Sequence, residues 1–465
     1  MAEPLWTSHE IVDATGGRLS DAAFTATGVS IDTRSLEPGD LFVALAGERD
    51  GHDFVGQALA AGASGALVER AVAGSSIIVE NVQKALESLG LAARLRANRA
   101  RRGAVTGSVG KTSVTQAVAA GLALAGRAHA SVKSYNNHIG VPLTLARMPP
   151  RTRRAVFEIG MNHAGEIEPL SRMVAPDVVV VTTVGAVHVE NFPDGEAGVA
   201  RAKAEIFAGL TPGGTAILNT SDRWFDLLRR EAILAGARIL TFGNDDEADA
   251  ELLTLAPTAE GARITARIGG QTLSFPIRQR GHHWGLNSLA VLLMLAELGV
   301  DRQTALKALS TFAPLEGRGA ARQVRLPGGA FTLIDESYNA NPLSVTAALR
   351  TLGAGPAKGR RIVALTDMLE LGGEAENLHA GLAEPIEAAG IDLVFCAGPL
   401  MHSLWQTLSP TRQGGYAQQA TELGPQLARA IEPGDVVMVK GSRDSKAKAL
   451  ADALLALDVV EGKAG

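Results

Sequence analysis

The stretch AVTGSVGKTSVTQAV, from Ala104 to Val118, runs from the end of an apolar segment through a glycine-containing turn into an amphipathic segment. A Walker A phosphate loop has a glycine six residues before its lysine. Six residues before Lys111 this chain has Val105, and the first glycine of the turn is Gly107. At this point two interpretations are open, a nucleotide site with a different loop and an ordinary helix start.

Apolar positions with helical spacing predict a helix that begins near Gly110; they are Val114, Ala117, Val118, Gly121 and Leu122. The first turn of such a helix offers unpaired N–H groups and the positive end of its dipole to an anion. Gly107 and Gly110 allow the backbone to approach phosphate oxygens closely. Lys111 would then reach the β and γ phosphates, and the hydroxyl of Thr112 would ligate Mg²⁺.

Length and composition predict a soluble, cytoplasmic protein of about three domains. The 465 residues exceed what one hydrophobic core usually supports. A net charge of −5 gives no basic surplus for nucleic acid. The single cysteine, Cys396, favours a reducing compartment. The first ten residues lack the features of a signal peptide, and His188 and Glu190 interrupt the most apolar stretch, so we expect no transmembrane segment.

Strand and helix patterns divide the chain into three blocks. The first 80 or so residues carry short apolar runs between turns, which predicts a small α/β domain, and the basic segment LAARLRANRARR is predicted as a helix leading out of it. From Gly103, β-branched runs such as RAVFEIG and DVVVVTTVG predict buried parallel strands. Residues 251–277 predict an antiparallel hairpin. After APLEGRG, four further apolar runs predict a doubly wound domain.

Two polar residues follow strands of the second block. Glu158 closes AVFEIG, and His188 comes shortly after VVVVTTVG. Ligands of open parallel sheets gather at the carboxyl ends of the strands, where the phosphate loop also lies. A carboxylate and an imidazole at that edge can hold a metal ion beside a triphosphate. Each residue alone is also compatible with an ordinary buried polar group.

Four stretches in a fixed order resemble the Mur ligases, ATP-dependent enzymes that form amide bonds in peptidoglycan synthesis. They are TGSVGKTS, NNHIGVPLTL, EIGMNHAGEI, and AVHVENF with ARAKAEIF. The loop T-G-S/T-x-G-K-T/S is this family's own pattern, so Val105 in place of glycine fits the resemblance. The similarity extends from about Gly28 to about Lys448. It implies a small α/β UDP-binding domain over residues 1–84, a central P-loop domain with a mostly parallel sheet over 85–314, and a C-terminal Rossmann-like domain over 315–465.

The resemblance also implies the residues that bind ATP and its metals. Thr112 and Glu158 would hold one Mg²⁺, and His188 and Lys203 a second, with Lys203 carbamylated by CO₂ so that it faces the metal as an anion. Lys111, His188, Lys203 and Arg318 would act on the transferring phosphoryl group. The nucleotide contacts would be Thr106, Gly107, Ser108, Gly110, Lys111, Thr112, Ser113, His283, Asn287, Arg318 and Asp335. Trp284 stands where the family commonly has asparagine, and both a place near the adenine and a packing role stay open.

The two end domains imply the other substrates. DESYNANP and DMLELGGEAENLH resemble the members that add D-alanyl-D-alanine, the last of the cytoplasmic ligases, and SIDTRSLEPGDLFVALAGERDGHDF resembles the family's uridine-nucleotide domain. The substrate contacts implied are Ser30, Thr33, Arg34, Asn136, Asn137, Tyr338, Asn339, Asn341, Lys440 and Arg443.

The sequence therefore predicts a monomeric ligase that joins D-alanyl-D-alanine to a UDP-N-acetylmuramoyl-tripeptide through an acyl phosphate. Two alternatives stay open. A ligase of the preceding step, which adds the third amino acid, typically carries an Asp-Asn-Pro-Arg tetrapeptide that this chain lacks. A regulatory P-loop NTPase would need neither end domain. The identity of the third residue of the peptide, lysine or diaminopimelate, is not determined by these motifs.

Overall fold

The computed structural model describes residues 4–132 and 134–459. Its first region is built from short apolar runs between turns. The elements are β1 (Trp6–Thr7), α1 (Ser8–Thr15), β2 (Arg18–Leu19), β3 (Thr25–Ala26), β4 (Gly28–Ser30), β5 (Asp40–Val43), α2 (Val55–Ala60), β6 (Gly65–Val68), β7 (Ser76–Ile78) and α3 (Val82–Arg96). Strands β4 to β7 are parallel neighbours, β2 adds antiparallel to β7, and β1 pairs with β3.

Helix α3 connects the first region to the second. The side chain of Asn81 caps its first turn by accepting a hydrogen bond from Lys84 N–H at 2.8 Å. Its buried face shares a hydrophobic cluster with residues of the first sheet. The predicted helix over LAARLRANRARR is only partly correct, because α3 ends at Arg96 and the last two arginines of the segment begin a strand. That strand is recruited by pairing with two neighbours in the central sheet.

The second region contains a large sheet between two layers of helices. Its elements are β8 (Arg101–Thr106), α4 (Lys111–Leu124), β9 (Ala128–Ala130), α5 (Gly140–Ala146), β10 (Arg154–Glu158), α6 (Ile167–Val174), β11 (Val178–Val181), α7 (Glu196–Ala204), β12 (Thr215–Asn219), α8 (Phe225–Leu234), β13 (Arg238–Gly243), β14 (Ala250–Pro257), β15 (Ala262–Ile268), β16 (Gln271–Ile277), α9 (His282–Glu297) and α10 (Arg302–Thr311).

Among the described residues this sheet has the strand order β16-β15-β14-β13-β12-β11-β8-β10-β9. All pairs from β14 to β9 are parallel, and β14, β15 and β16 form an antiparallel edge. The segment predicted as a hairpin therefore has three strands. Helices α4, α9 and α10 pack on one face of the sheet, and α5 to α8 pack on the other. Because β8 lies between β11 and β10, the carboxyl ends of these three strands meet at one edge.

The third region is a second, doubly wound sheet. Its elements are β17 (Ala320–Leu326), β18 (Gly329–Glu336), α11 (Pro342–Ala354), β19 (Arg361–Thr366), α12 (Ala375–Ala380), α13 (Ala383–Ala388), β20 (Leu393–Ala397), α14 (Met401–Thr407), β21 (Gln413–Ala417), α15 (Ala420–Ala430), β22 (Val436–Lys440) and α16 (Ala447–Leu455). The order is β17-β18-β22-β19-β20-β21, parallel except for β17. Helices α11 to α14 cover one face, and α15 and α16 cover the other. The predicted three-domain α/β fold is confirmed.

Candidate functional site

A glycine turn between β8 and α4 forms a loop that is held tightly against the end of β11. Gly107 has φ 145°, and a Cβ added there would lie 1.9 Å from Thr182 Oγ1. Gly110 precedes the helix with φ 89°, a left-handed conformation that suits glycine. Ser108 N–H donates to the carbonyl of Thr183 at 2.7 Å. The close approach of Thr182 thus requires glycine at 107, and the left-handed backbone favours glycine at 110, whether or not a ligand is bound.

Lys111 begins helix α4 and turns back over the loop. Its Nζ donates to the carbonyl oxygen of Gly107 at 2.6 Å. Burial lowers the pKa of this ammonium, while nearby Glu158 opposes the shift. The group lies next to the first N–H groups of α4, so two sources of positive potential converge on the loop.

A ring of four contacts connects the loop to the C-terminal domain. Arg318 Nη2 donates to Thr112 Oγ1 at 3.0 Å, and Thr112 Oγ1 lies 3.2 Å from Ser134 Oγ. Tyr338 Oη donates to Ser134 Oγ at 2.6 Å. The guanidinium of Arg318 stacks over the Tyr338 ring at 3.9 Å, which closes the ring of contacts. The guanidinium of Arg318, from the third domain, therefore contacts the hydroxyl of Thr112, which the sequence predicts as a metal ligand.

Glu158 ends β10 beside the loop and is 1% exposed. Asn136 Nδ2 donates to its Oε1 at 2.7 Å. Its Oε2 is buried and has no hydrogen-bond partner among the described residues. A buried carboxylate oxygen without a partner is costly, and a bound cation would satisfy it.

His188 and Lys203 lie close enough to Lys111 for its charge to act on both side chains. His188 has φ 56°, and its Nδ1 is 2.6 Å from Glu370 Oε2 of the C-terminal domain, outside hydrogen-bond geometry. Burial, Lys111 and Lys203 together lower the pKa of His188 to about 4, so its imidazole is neutral near pH 7. Lys203, on α7, is 2% exposed, and we find no hydrogen bond or ion pair for it with another described residue. Burial, reinforced by Lys111, holds the pKa of Lys203 well below its usual range.

The donors at this edge fit magnesium held partly by phosphates. Within the described part of the chain no group of three or more His, Cys, Asp and Glu side chains could hold a metal by itself. Mg²⁺ usually takes only one or two carboxylates from a protein and completes its shell with phosphate oxygens and water. The free oxygen of Glu158 and the Thr112 hydroxyl, which already contacts a cation, match that requirement.

Among the predicted nucleotide contacts of α9, Asn287 lies beside the loop. Asn287 is buried, and a Cβ on Gly110 would come within 3.3 Å of its Nδ2. Burial lowers the pKa of His283. The Trp284 ring packs against Phe312 with centroids 5.9 Å apart, inside the hydrophobic core of the central domain. The structure therefore favours the packing interpretation of Trp284.

Asp335 is the second-last residue of β18 and accepts hydrogen bonds on its Oδ1 from both the N–H and the hydroxyl of Ser337. Nearby, Asn341 caps α11 in a reciprocal capping box with Ser344. In this structure both side chains thus stabilise the turn between β18 and α11.

Two predicted cations lie near the end of β22. Lys440 is 3% exposed; its Nζ donates to the carbonyl of Asn339 at 3.0 Å and lies 3.4 Å from Glu336 Oε2. Burial lowers its pKa, and Glu336 opposes the shift. Arg443 follows on an exposed turn. Of the two, Arg443 is the one that a bound molecule could reach freely.

The residues predicted for the uridine nucleotide surround a turn after β4. Ser30 is buried and its hydroxyl donates to the carbonyl of Asp32 at 3.1 Å. Thr33 is half-buried, and Arg34 is 87% exposed and pairs with Asp32 at 2.6 Å. The Oδ1 of Asn137 accepts hydrogen bonds from the N–H groups at the start of α5. The structure thus places these four residues in the first domain and at its border with the central domain.

Two residues of the cleft were missed by sequence reasoning. Ser134 connects Thr112 to Tyr338, and Glu370 meets His188. Glu370 lies inside DMLELGGEAENLH, whose resemblance was noted without assigning this residue. Its φ of 62° is unusual for a side chain other than glycine. No sequence signal marks Ser134.

None of the helices in the described part of the chain has the length and apolar character needed to span a membrane.

Family comparisons cover most of the chain. Residues 25–94 match the model described as Mur ligase family, catalytic domain, residues 105–295 match the Mur ligase middle domain, and residues 322–443 match the Mur ligase, glutamate ligase domain.

Two relatives with similarity over nearly the full chain are named UDP-N-acetylmuramoyl-tripeptide–D-alanyl-D-alanine ligase. The one from Escherichia coli K12 is 35% identical over 96% of this chain and 98% of its own length. The one from Bacillus subtilis 168 is 32% identical over 95% of this chain and 96% of its own.

Solved structures agree with this pattern. MurF from Acinetobacter baumannii superposes with a TM-score of 0.85 at 27% identity, covering 98% of this chain and 99% of that one. MurF from Thermotoga maritima in complex with ADP gives a TM-score of 0.76 at 23% identity, over 92% and 97% of the two chains. A UDP-N-acetylmuramoyl-L-alanyl-D-glutamate–2,6-diaminopimelate ligase gives 0.52 at 17% identity, over 93% and 95%.

Proposed function

This chain belongs to the Mur ligase family, and from that premise we propose that it joins D-alanyl-D-alanine to a UDP-N-acetylmuramoyl-tripeptide at the expense of ATP. The observation that carries the proposal is the full-length match to two ligases of that name, at 35% and 32% identity. The reaction is the last amide-forming step in the cytoplasmic synthesis of the peptidoglycan precursor. The higher structural similarity to MurF, 0.85 against 0.52 for a ligase of the preceding step, supports the same choice.

We assign one substrate to each domain. Residues 1–84 would bind the uridine nucleotide through Ser30, Thr33 and Arg34. Residues 85–314 would bind ATP at the loop, with Asn136 and Asn137 on the side facing the peptide. Residues 315–465 would bind the incoming dipeptide. The candidate dipeptide contacts in this domain are Tyr338, Asn339, Asn341, Lys440 and Arg443. We also propose a monomer as the working unit.

Amide formation needs an activated carboxylate, because an oxide ion does not leave. A carboxylate oxygen of the tripeptide attacks the γ-phosphorus of ATP, giving an acyl phosphate and ADP. The amine of D-alanyl-D-alanine then attacks the acyl carbon, loses a proton, and phosphate leaves from the tetrahedral intermediate. Lys111, which contacts the Gly107 carbonyl, and Arg318, which contacts the Thr112 hydroxyl, would stabilise the negative charge on the transferring group.

We propose that Arg318 has a second position when nucleotide is bound. Its guanidinium now contacts the Thr112 hydroxyl. When that hydroxyl ligates a metal ion, like charges would repel, and the arginine would turn toward the phosphates. The Tyr338 ring beneath the guanidinium would guide it and keep it at the cleft.

Magnesium, when bound, neutralises the β and γ phosphates of ATP. Thr112 and Glu158 would hold one ion and His188 and Lys203 a second. Lowering the pKa of a buried amine favours its neutral form, which can add CO₂ to give a carbamate and a proton, and this supports carbamylation of Lys203. Glu370 would accept the Nδ1–H of His188 and leave Nε2 for the metal, the usual arrangement of a carboxylate behind a ligating histidine.

The test is a reaction with ATP, UDP-tripeptide and D-alanyl-D-alanine, followed by mass spectrometry and phosphate release. We expect a product equal in mass to both peptides less one water, and phosphate release only when both are present. Efficient reaction of a UDP-dipeptide with free lysine or diaminopimelate would instead identify a ligase of the preceding step. Nucleotide hydrolysis that ignores both peptides would identify a regulatory NTPase.

A further inference from the structure

The basic segment after α3 takes no part in the ATP cleft. Five arginines line one open cleft of about 250 Å³: Arg96, Arg99, Arg127, Arg151 and Arg153. The other lining residues are Asn98, Pro150 and Thr152, which are uncharged. The described lining thus contains five guanidinium groups and no carboxylate. We refer to it as the arginine cleft.

The arginine cleft lies at the opposite edge of the central sheet from the phosphate loop. It is formed by the segments that lead into β8, β9 and β10, at the amino ends of these parallel strands. Glu158 and the loop lie at the carboxyl ends. Backbone hydrogen bonds hold the segments together, from Arg101 N–H to Arg153 O at 3.0 Å and from Arg153 N–H to Arg127 O at 2.9 Å. The cleft is therefore a separate feature on a fixed backbone.

No described residue supplies a counter-charge to three of these cations. The side chains of Arg99, Arg127 and Arg153 are on exposed residues, and none has a hydrogen bond or ion pair with another described residue. The chain as a whole carries a net charge of −5, so a basic cluster does not follow from its composition. Like charges gathered in a concave surface concentrate positive potential and attract anions.

One wall of the cleft is rigid. The guanidinium of Arg96 stacks over the Trp6 ring at 3.6 Å and donates to the carbonyl of Leu5 at 2.8 Å. Its Nε is buried and has no hydrogen-bond partner among the described residues. A guanidinium held in this way loses little conformational entropy when its remaining N–H groups bind an anion.

We propose that the arginine cleft binds a phosphate-bearing anion, supplied either by a free polyphosphate or phosphorylated small molecule or by the headgroup of an acidic phospholipid. Guanidinium groups pair with phosphate oxygens through two parallel hydrogen bonds, and several around one cleft match the charge of such a group. The binding is independent of the ligase reaction proposed above.

The test uses the full chain with ADP and Mg²⁺ saturating the phosphate loop. Tripolyphosphate binding is measured by calorimetry, and vesicles of phosphatidylcholine with and without phosphatidylglycerol are tested by cosedimentation. The variant R127E/R153E reverses two charges of the cleft, and R127Q/R153Q removes them without adding carboxylates. R229E/R263E makes the same charge change at two exposed arginines elsewhere in the central domain. Circular dichroism and thermal unfolding verify that each variant folds.

We expect the native chain and R229E/R263E to bind at least one phosphate probe, and both cleft variants to bind it at least tenfold more weakly. Binding that weakens as salt is raised is part of the expectation. Binding of tripolyphosphate alone would identify a soluble ligand, and binding of phosphatidylglycerol vesicles alone would identify a membrane headgroup. No binding of either probe, or equal losses in R229E/R263E and the cleft variants, would overturn the proposal.

Discussion

Replacing Tyr338 by phenylalanine and by leucine separates its hydrogen bond to Ser134 of the central domain from its stacking contact with Arg318 of its own domain. Phenylalanine removes the 2.6 Å hydrogen bond to Ser134 and keeps the ring under Arg318. Leucine removes both contacts. A hydrogen bond of this kind contributes about 0.5–1.5 kcal/mol net, and a stacked arginine contributes about 0.5–2 kcal/mol.

These contributions translate into rates, because the hydrogen bond to Ser134 joins two domains and the stacked ring holds the Arg318 guanidinium against Thr112 of the phosphate loop. Since about 1.4 kcal/mol corresponds to a factor of ten, kcat/KM should fall roughly 2- to 12-fold in Tyr338→Phe and roughly 5- to 400-fold in Tyr338→Leu. Phosphate release is measured while each substrate is varied in turn. Tyr416→Phe is the matched control, because it also removes one hydroxyl, bonded to Gly398 within the C-terminal domain.

Equal effects of the two Tyr338 variants, or a native rate in Tyr338→Leu, would refute this reasoning. A rise in KM for D-alanyl-D-alanine alone, with kcat and the KM for ATP unchanged, would instead assign Tyr338 to the dipeptide contact predicted from the sequence.

Three further changes test other parts of the account. Lys203→Ala should lower the rate at least about 100-fold by removing the group proposed to carry the carbamate, with partial recovery in formate or acetate; a rate within twofold of native would contradict it. Glu370→Gln should weaken Mn²⁺ binding by about 10- to 100-fold, because His188 loses its orienting carboxylate. The affinity is measured by electron paramagnetic resonance, and an unchanged affinity would contradict that role. Burial lowers the pKa of His129 to about 4, so the unfolded chain takes up a proton first as pH falls through 6.5. Between pH 7 and pH 5 the free energy of unfolding of His129→Gln should therefore fall by about 2 kcal/mol less than that of the native chain. Urea unfolding measures both, and an equal fall in the two proteins would contradict this.

Local patterns predicted the strands of this fold better than their arrangement. The β-branched runs before Glu158 and after Pro176 form the buried strands β10 and β11, as their composition requires. The position of β8 between them depends on packing across the sheet, which no local pattern encodes. The end of α3 was misjudged for the same reason. Arginine and alanine favour helix, yet pairing of Arg101 and Arg102 with neighbouring strands outweighs that preference.

The site could be predicted where its residues follow strands of one sheet. Lys111, Glu158 and His188 lie at one edge because parallel strands bring their carboxyl ends together. Contacts between domains could not be predicted in this way. Tyr338 meets Ser134 across 204 residues of sequence, and such a pairing depends on how two folded domains dock. The roles of the individual site residues stay predictions that the variants above address.

The most direct test of the central claim labels the terminal carboxylate of the UDP-tripeptide with ¹⁸O. The labelled substrate is incubated with ATP and D-alanyl-D-alanine, and both the peptide product and the released phosphate are weighed by mass spectrometry. Formation of an acyl phosphate predicts one ¹⁸O in the phosphate for each amide bond formed, and a UDP-pentapeptide as the product. Phosphate without label, or no pentapeptide while ATP is consumed, would contradict the account.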